Sequence, residues 1–309
     1  MTRFFRRHFA ALSVAGLLAS SAYAGGEGWT QDFAGAQQTA ETEDKDLLLD
    51  FTGSDWCGWC IRLNEEVFSH DEFKQYAAEN FVLVELDYPR AVEQSEEIKA
   101  QNAELKDKYQ IRGYPTIFLT DAEGRPYAQT GYQAGGPDAY VAHLEELKKV
   151  RMERDEHLSA AAEAEGVDKA RHLHAALQVL GDDMALAHYK PTVEQIMELD
   201  AENQAGLKGH YQDLYVAQEQ SAELQSIMQS ARQNPEMTIE KIDSFLGQEG
   251  ILTAVKQEAL AGKSQIQMFI LQDKVTAKQT LQAAIDVDPE SEMAAMLQGA
   301  MERFFPEGE

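Results

Sequence analysis

Two cysteines occur in 309 residues, and only Gly58 and Trp59 separate them, in the stretch Trp56-Cys57-Gly58-Trp59-Cys60. With no third sulfhydryl in the chain, the two serve each other, bind something together, or react with a partner's thiols. Redox exchange is the first of these readings. A zinc site needs about four ligands, and neither His70 nor His143 stands at ligand spacing from the pair. A static disulfide closing so short a loop would add only roughly 2 kcal/mol. The sequence therefore gives no reason to expect a metal or an organic cofactor.

Dithiol exchange needs one cysteine that ionises easily and a second that resolves the mixed disulfide. A helix N-terminus supplies unpaired N–H groups and the positive end of the helix dipole, which lower a thiol from its ordinary value of about 8.5. Two intervening residues then place the second sulfur one turn on. Cys57 is accordingly the expected nucleophile and Cys60 the expected resolving thiol. Trp56 and Trp59 flank them as an apolar rim that could receive a polypeptide client.

Elements fit to carry this pair lie on both sides of it. Leu47-Leu48-Leu49-Asp50-Phe51 is a short apolar run of the kind buried on both faces of a parallel sheet. It delivers Cys57 just past its C-terminal end. Ile61, Leu63, Val67 and Phe68 fit the inner face of a helix, and Ser69 with Glu72 reads as a capping box opening the next one. Ser69-His70-Asp71 is no catalytic triad, since triad members meet in space and not as consecutive residues. Phe81–Leu86 and Thr116–Leu119 read as further strands, with a helix between Ala91 and Tyr109. A turn at Asp121–Gly124 leads to a strand near Tyr127–Thr130. The result is a small α/β domain ending near Val150.

From about Pro137 the composition shifts to alanine, glutamine, glutamate, leucine and methionine. Helices are expected throughout, with breaks at Gly166, Gly181–Asp183, Pro191, Asn203, Asn234-Pro235, Gly247–Gly250 and Asp288-Pro289. The segment around Ala170–Leu177 parallels Ala277–Ile285, and small residues at helix crossings with acidic-proline stops resemble degenerate tetratricopeptide repeats. An ordinary helical bundle remains the other reading. His172, His174 and His188 are expected to face solvent or pack at helix crossings.

Residues 47–150 resemble thioredoxin: Leu49-Asp50-Phe51, Trp56-Cys57-Gly58-Trp59-Cys60, Gly113-Tyr114-Pro115-Thr116 and Gly131 occur here in that family's order. The resemblance implies that Pro115 is cis and lies beside the cysteines, with the Tyr114 backbone open to an extended client segment. It also implies that Asp50 is a buried carboxylate that assists proton transfer to Cys60, although one extra residue separates it from the motif. The lysine that accompanies this carboxylate in the family is here replaced by an apolar residue near Leu83, which would leave a buried Asp50 with a raised pKa. Trp59 replaces the family's usual proline, so the direction of exchange cannot be transferred. The implied site is Cys57, Cys60, Asp50 and Pro115 for chemistry, with Trp56, Gly58, Trp59 and Tyr114 for client binding.

Arg3, Arg6 and Arg7, an apolar stretch from Phe9 to Ala22, and Ala22-Tyr23-Ala24 before Gly25 together read as a secretory leader cleaved after Ala24. The expected location is periplasmic or secreted, with no membrane span left after cleavage. The 27 basic and 53 acidic residues give a net charge of −26, and loss of the three leader arginines would take it to −29. That balance argues against nucleic acid as a partner. The expected plan is a leader over 1–24, an α/β thioredoxin-like domain over 25–150, and an all-α tetratricopeptide-like domain over 151–309. The expected function is an exported thiol-disulfide oxidoreductase acting on protein disulfides, served by a redox partner of unknown identity. The alternative is a chaperone or protein-binding module of thioredoxin and tetratricopeptide parts, in which the dithiol is secondary.

Overall fold

The computed structural model describes residue 26 and residues 28–306, so the leader expected over 1–24 lies outside the described residues. These residues fall into two compact units, one ending at Arg151 and one beginning at Met152.

The first unit runs β1 (Trp29–Thr30), α1 (Phe33–Glu43), β2 (Asp46–Thr52), α2 (Gly58–Leu63), α3 (Asp71–Asn80), β3 (Phe81–Asp87), α4 (Glu96–Lys108), β4 (Thr116–Thr120), β5 (Pro126–Thr130) and the start of α5 (Gly136–Glu163). Its sheet has the order β1-β3-β2-β4-β5. β1 and β2 run parallel to β3, while β4 runs antiparallel to β2 and β5 antiparallel to β4. β2 is thus central, and every one of its seven residues is buried. The apolar run expected as a doubly covered strand has that place.

Alternation along β2 sends successive side chains to opposite faces. On one face Phe51 meets Tyr109 and Phe118, with ring centroids 5.5 and 6.1 Å away. On the other, Trp29, Phe73 and Tyr140 gather round Phe68 at 5.1, 4.7 and 5.8 Å. Asp50, between Leu49 and Phe51, belongs to this second face.

Three local expectations need correction. Ile61 is exposed while Leu63, Val67 and Phe68 are buried: Ile61 and Leu63 both precede the π turn at Asn64–Phe68, and two positions apart on a helix they point about 200° apart and do not share its inner face. Ser69 and Glu72 form no capping box. α3 starts at Asp71 with His70 as its unbonded cap, and the Ser69 hydroxyl donates back to the Glu65 carbonyl at 3.2 Å. β1 and α1 went unread. α1 presents only Phe33, Ala36 and Ala40 to the core, too little apolar surface to mark a period.

The second unit is helical: the remainder of α5, then α6 (Gly166–Leu180), α7 (Asp182–His188), α8 (Lys190–Leu199), α9 (Leu207–Met228), α10 (Pro235–Leu246), α11 (Thr253–Gln265), α12 (Lys274–Val287) and α13 (Glu292–Phe304). The helices break at or beside the seven places read from glycine, proline and asparagine. One cluster centres on Leu177, Val193, Ile196 and Tyr211, another on Ile242, Phe245, Val255 and Ala259. Of the histidines in this unit, His174 packs at a crossing, with Nδ1 3.0 Å from the Tyr211 hydroxyl. No helix among the described residues is long and apolar enough to cross a membrane.

Candidate active site

The loop between β2 and α2 is folded so that a sulfur caps a helix. The N–H groups of Trp56 and Cys57 donate to the Gly53 carbonyl at 3.2 and 2.8 Å, closing a turn. Cys57 then takes an extended backbone as the N-cap of α2, and its Sγ accepts the Cys60 N–H at 3.2 Å. Serine or aspartate oxygens ordinarily fill this role, so the amide and dipole that would receive a capping oxygen here stabilise negative charge on sulfur. Cys57 and Cys60 are joined as a disulfide. Both are buried, at 6 % and 5 % exposure. A Cβ added at Gly58 would meet nothing within 4 Å, so the space beside the helix start at this position is open.

The Tyr114–Pro115 peptide is cis. Trp56 ties this segment to the cysteine loop: its indole stands edge-on to Tyr114 at 5.6 Å, donates from Nε1 to the Tyr88 carbonyl at 2.9 Å, and lies under the Arg90 guanidinium at 3.9 Å. Trp59 behaves differently. It is 55 % exposed, packs on Tyr132 at 5.1 Å, and shares with it the guanidinium of Arg62. Glu66 fastens this group by accepting from Arg62 Nε at 2.7 Å and from the Tyr132 hydroxyl at 2.5 Å. Those two donors hold the Glu66 carboxyl below its usual range, the Tyr132 bond first. The apolar rim read from the sequence thus has a packed member, Trp56, and an open one, Trp59.

Beneath the site lies a group of acids. Asp50 is 7 % exposed, and its Oδ1 is buried without a hydrogen-bond partner. Its register neighbours are Glu85 on β3 and Ile117 on β4. The expectation of an apolar residue near Leu83 beside Asp50 is therefore corrected: Leu83 lies opposite Leu48, and the residue opposite Asp50 is a second acid. Burial raises the Asp50 carboxyl well above its ordinary value, and the Glu85 and Asp87 carboxylates push it further in the same direction. Asp87 accepts from the Ser54 N–H at 2.9 Å and the Ser54 hydroxyl at 2.6 Å, anchoring the loop that leads to Cys57.

Comparison with known proteins places this geometry. Residues 33–148 match the thioredoxin-like domain family. Over 121 residues the chain is 37 % identical to the disulfide bond reductase DsbH of Chlamydia pneumoniae, an alignment covering 39 % of this chain and 73 % of that one. The chain belongs to the thioredoxin-like family. Within it, the thioredoxin-related protein DsbJ of Chlamydia pneumoniae is 35 % identical over 103 residues, 33 % of this chain and 30 % of DsbJ. A solved structure of a DsbH oxidoreductase matches at 37 % identity with a TM-score of 0.38, covering 39 % of this chain and 83 % of that one. The α/β unit is a thioredoxin-like fold, and with its Cys57–Cys60 pair the protein is a thiol-disulfide oxidoreductase.

Among the residues expected at this thioredoxin-like site, Cys57, Gly58 and Cys60 share one helical turn. Trp56 and Tyr114 touch, Pro115 follows Tyr114 through the cis bond, and Asp50 lies on the buried face of β2. Two groups went unread. Arg62 and Glu66 are an i,i+4 pair, but Tyr132 is 66 positions from Glu66 and meets them only through tertiary packing. Glu85 sits inside an apolar run, and its charge was itself the available signal.

Proposed function

We propose that this protein is an exported reductase of protein disulfides. The observation that carries the reading is Cys57 as a sulfur N-cap, one helical turn from Cys60, in a thioredoxin-like fold with a cis Tyr114–Pro115 bond. In the dithiol state the Cys57 thiolate attacks one sulfur of a client disulfide, forming a Cys57–client bond and expelling the first client thiolate. Asp50 takes the proton of Cys60. The Cys60 thiolate then attacks Cys57 Sγ, closes the Cys57–Cys60 disulfide and releases the second client thiolate. Two electrons pass to the client, and a dithiol donor restores the pair.

The Tyr114 backbone offers an extended client segment a strand-like partner beside Pro115. Trp56, Gly58 and Trp59 form its floor. The reductive direction is supported by the name of the relative that aligns over 73 % of its length. Export rests on the leader pattern of residues 1–24, and the proposed location is periplasmic or secreted. We further assign residues 25–150 to the thioredoxin-like domain and 151–309 to a tetratricopeptide-like domain. Ala170 and Ala176 on α6 and Ala277 and Ala284 on α12, all fully buried, support the repeat reading, since small residues let paired helices approach closely.

The test is a trap. Cys60→Ser should accumulate client proteins disulfide-linked to Cys57, released by a reductant and absent from the Cys57→Ser, Cys60→Ser double variant. No linked species under either reducing or oxidising conditions refutes the mechanism.

A further inference from the structure

We propose that Glu85 is the second half of a buried carboxyl pair with Asp50, sharing one proton with it, and that this pair sets when Cys60 is deprotonated. The inference rests on the reading of Asp50 as the proton acceptor of the resolving step.

The register of the parallel β2–β3 pair puts Asp50 directly opposite Glu85. Neighbouring strands lie about 4.8 Å apart and opposed residues share a face, so the two carboxyls project into the same layer. Both are out of water, Asp50 at 7 % and Glu85 at 2 % exposure. Two buried carboxyls on directly opposed positions of one face do not both carry full charge readily, which favours a proton held between them. Burial and the neighbouring carboxylates act on Asp50 in the direction this requires.

Every element packed here contributes a group. Asp50 comes from β2 and Glu85 and Asp87 from β3. Tyr140, from α5, has its phenol driven up by burial and then by Asp50. Gln31, just past β1, donates from Nε2 to Glu85 Oε2 at 3.4 Å. Asp87 is committed to Ser54 through both oxygens. Asp50 keeps Oδ1 buried and unbonded, and this is the oxygen left to receive a proton.

The chemical consequence concerns base strength. A thiol ordinarily ionises near 8.5, and a lone carboxylate near 4 is a weak acceptor for its proton. An ammonium opposite Asp50 would make it weaker still. A carboxyl opposite it makes the singly charged pair a stronger base, closer to the thiol it serves. In the resolving step the pair goes from one proton to two, Cys60 becomes a thiolate, and the Cys60–Cys57 bond forms as the Cys57–client bond breaks. The client thiolate leaves with the electron pair and is protonated by water. The pair returns its extra proton to Cys60 when a dithiol donor reopens the disulfide.

The experiment uses the full chain with Cys57 blocked as a mixed disulfide with thionitrobenzoate, a coloured leaving thiol that Cys60 releases in a single turnover. Release rates against pH are compared for wild type, Glu85→Gln and Asp50→Asn. We expect Asp50→Asn to lower the plateau on the order of a hundredfold. Glu85→Gln should move the acid limb to lower proton affinity by about tenfold. If Glu85→Gln superposes on wild type while Asp50→Asn loses its plateau, Asp50 acts alone and the pair is refuted. If neither changes, the role of Asp50 itself fails, and the pair with it. Infrared titration of the wild-type protein tests this without a variant: a protonated carboxyl band persisting well above the ordinary carboxylate range is required by a pair. Its absence overturns the inference even if Glu85→Gln does not fold.

Discussion

Trp56→Phe isolates one tie of the active-site scaffold. The substitution keeps an aromatic ring against Tyr114 but removes the indole N–H, which leaves the Tyr88 carbonyl without that donor at 2.9 Å. A lost hydrogen bond of this kind costs about 1 kcal/mol. Phenylalanine also binds a cation less well than tryptophan, so part of the Arg90 contact at 3.9 Å goes too, about 0.5 kcal/mol. The sum is about 1.5 kcal/mol. With a urea dependence of about 2 kcal/mol per molar, the unfolding midpoint should fall by about 0.8 M. Trp56→Ala also loses the edge-on Tyr114 contact and the ring's burial, and should cost about 3–5 kcal/mol. The assay is convenient because the chain has 3 tryptophans, at 29, 56 and 59, and all belong to the first unit. Fluorescence of Trp29, buried on Phe68, then follows that unit by itself. A Trp56→Phe midpoint within about 0.2 M of wild type, with a raised KM for protein disulfides, would refute the tie and make Trp56 a client contact.

Two further outcomes follow from the buried acids. Because Asp50 is raised in the folded protein, the folded state binds more protons than the unfolded one between the unfolded value, about 3.9, and the raised value, and stability falls as pH climbs through that window. Asp50→Asn should therefore gain Tm over wild type as pH rises above about 4, and lose that gain below it; a difference that does not vary with pH contradicts the buried-charge account. Tyr127→Phe removes the hydroxyl that donates to the buried Asp46 Oδ2 at 2.8 Å, leaving Arg151 on the other oxygen. It should cost about 1–3 kcal/mol in urea melts, and a neutral result would mean that water replaces the phenol.

The parts legible in the sequence were those whose signal is local. A continuous apolar run cannot be half exposed, so Leu47–Phe51 reads as a central strand. A dithiol motif is tied to a helix N-terminus, so Cys57 and Cys60 were found by type and spacing, while the cis Pro115 came through the resemblance to thioredoxin carried by Gly113-Tyr114-Pro115-Thr116. What was missed depends on how strands and helices are aligned with one another. The residue facing Asp50 is set by the β2–β3 register, and a shift of two places preserves the face and leaves the apolar pattern intact, so Leu83 stood in for Glu85. Likewise, which of Ile61 and Leu63 faces inward depends on how α2 is rotated against the sheet, and no property of Ile61 alone reports that. The Trp59 cluster needed Tyr132 brought to residues 59, 62 and 66 of one helical stretch, which only tertiary packing does.

Burial of both sulfurs has a consequence for cellular economy of electrons. With Cys57 and Cys60 only 6 % and 5 % exposed, a client disulfide has to be brought up to a narrow opening before exchange begins. On the proposed mechanism that approach is made by a polypeptide laid along the cis Tyr114–Pro115 segment. Access, alongside reduction potential, then selects which thiols the couple meets.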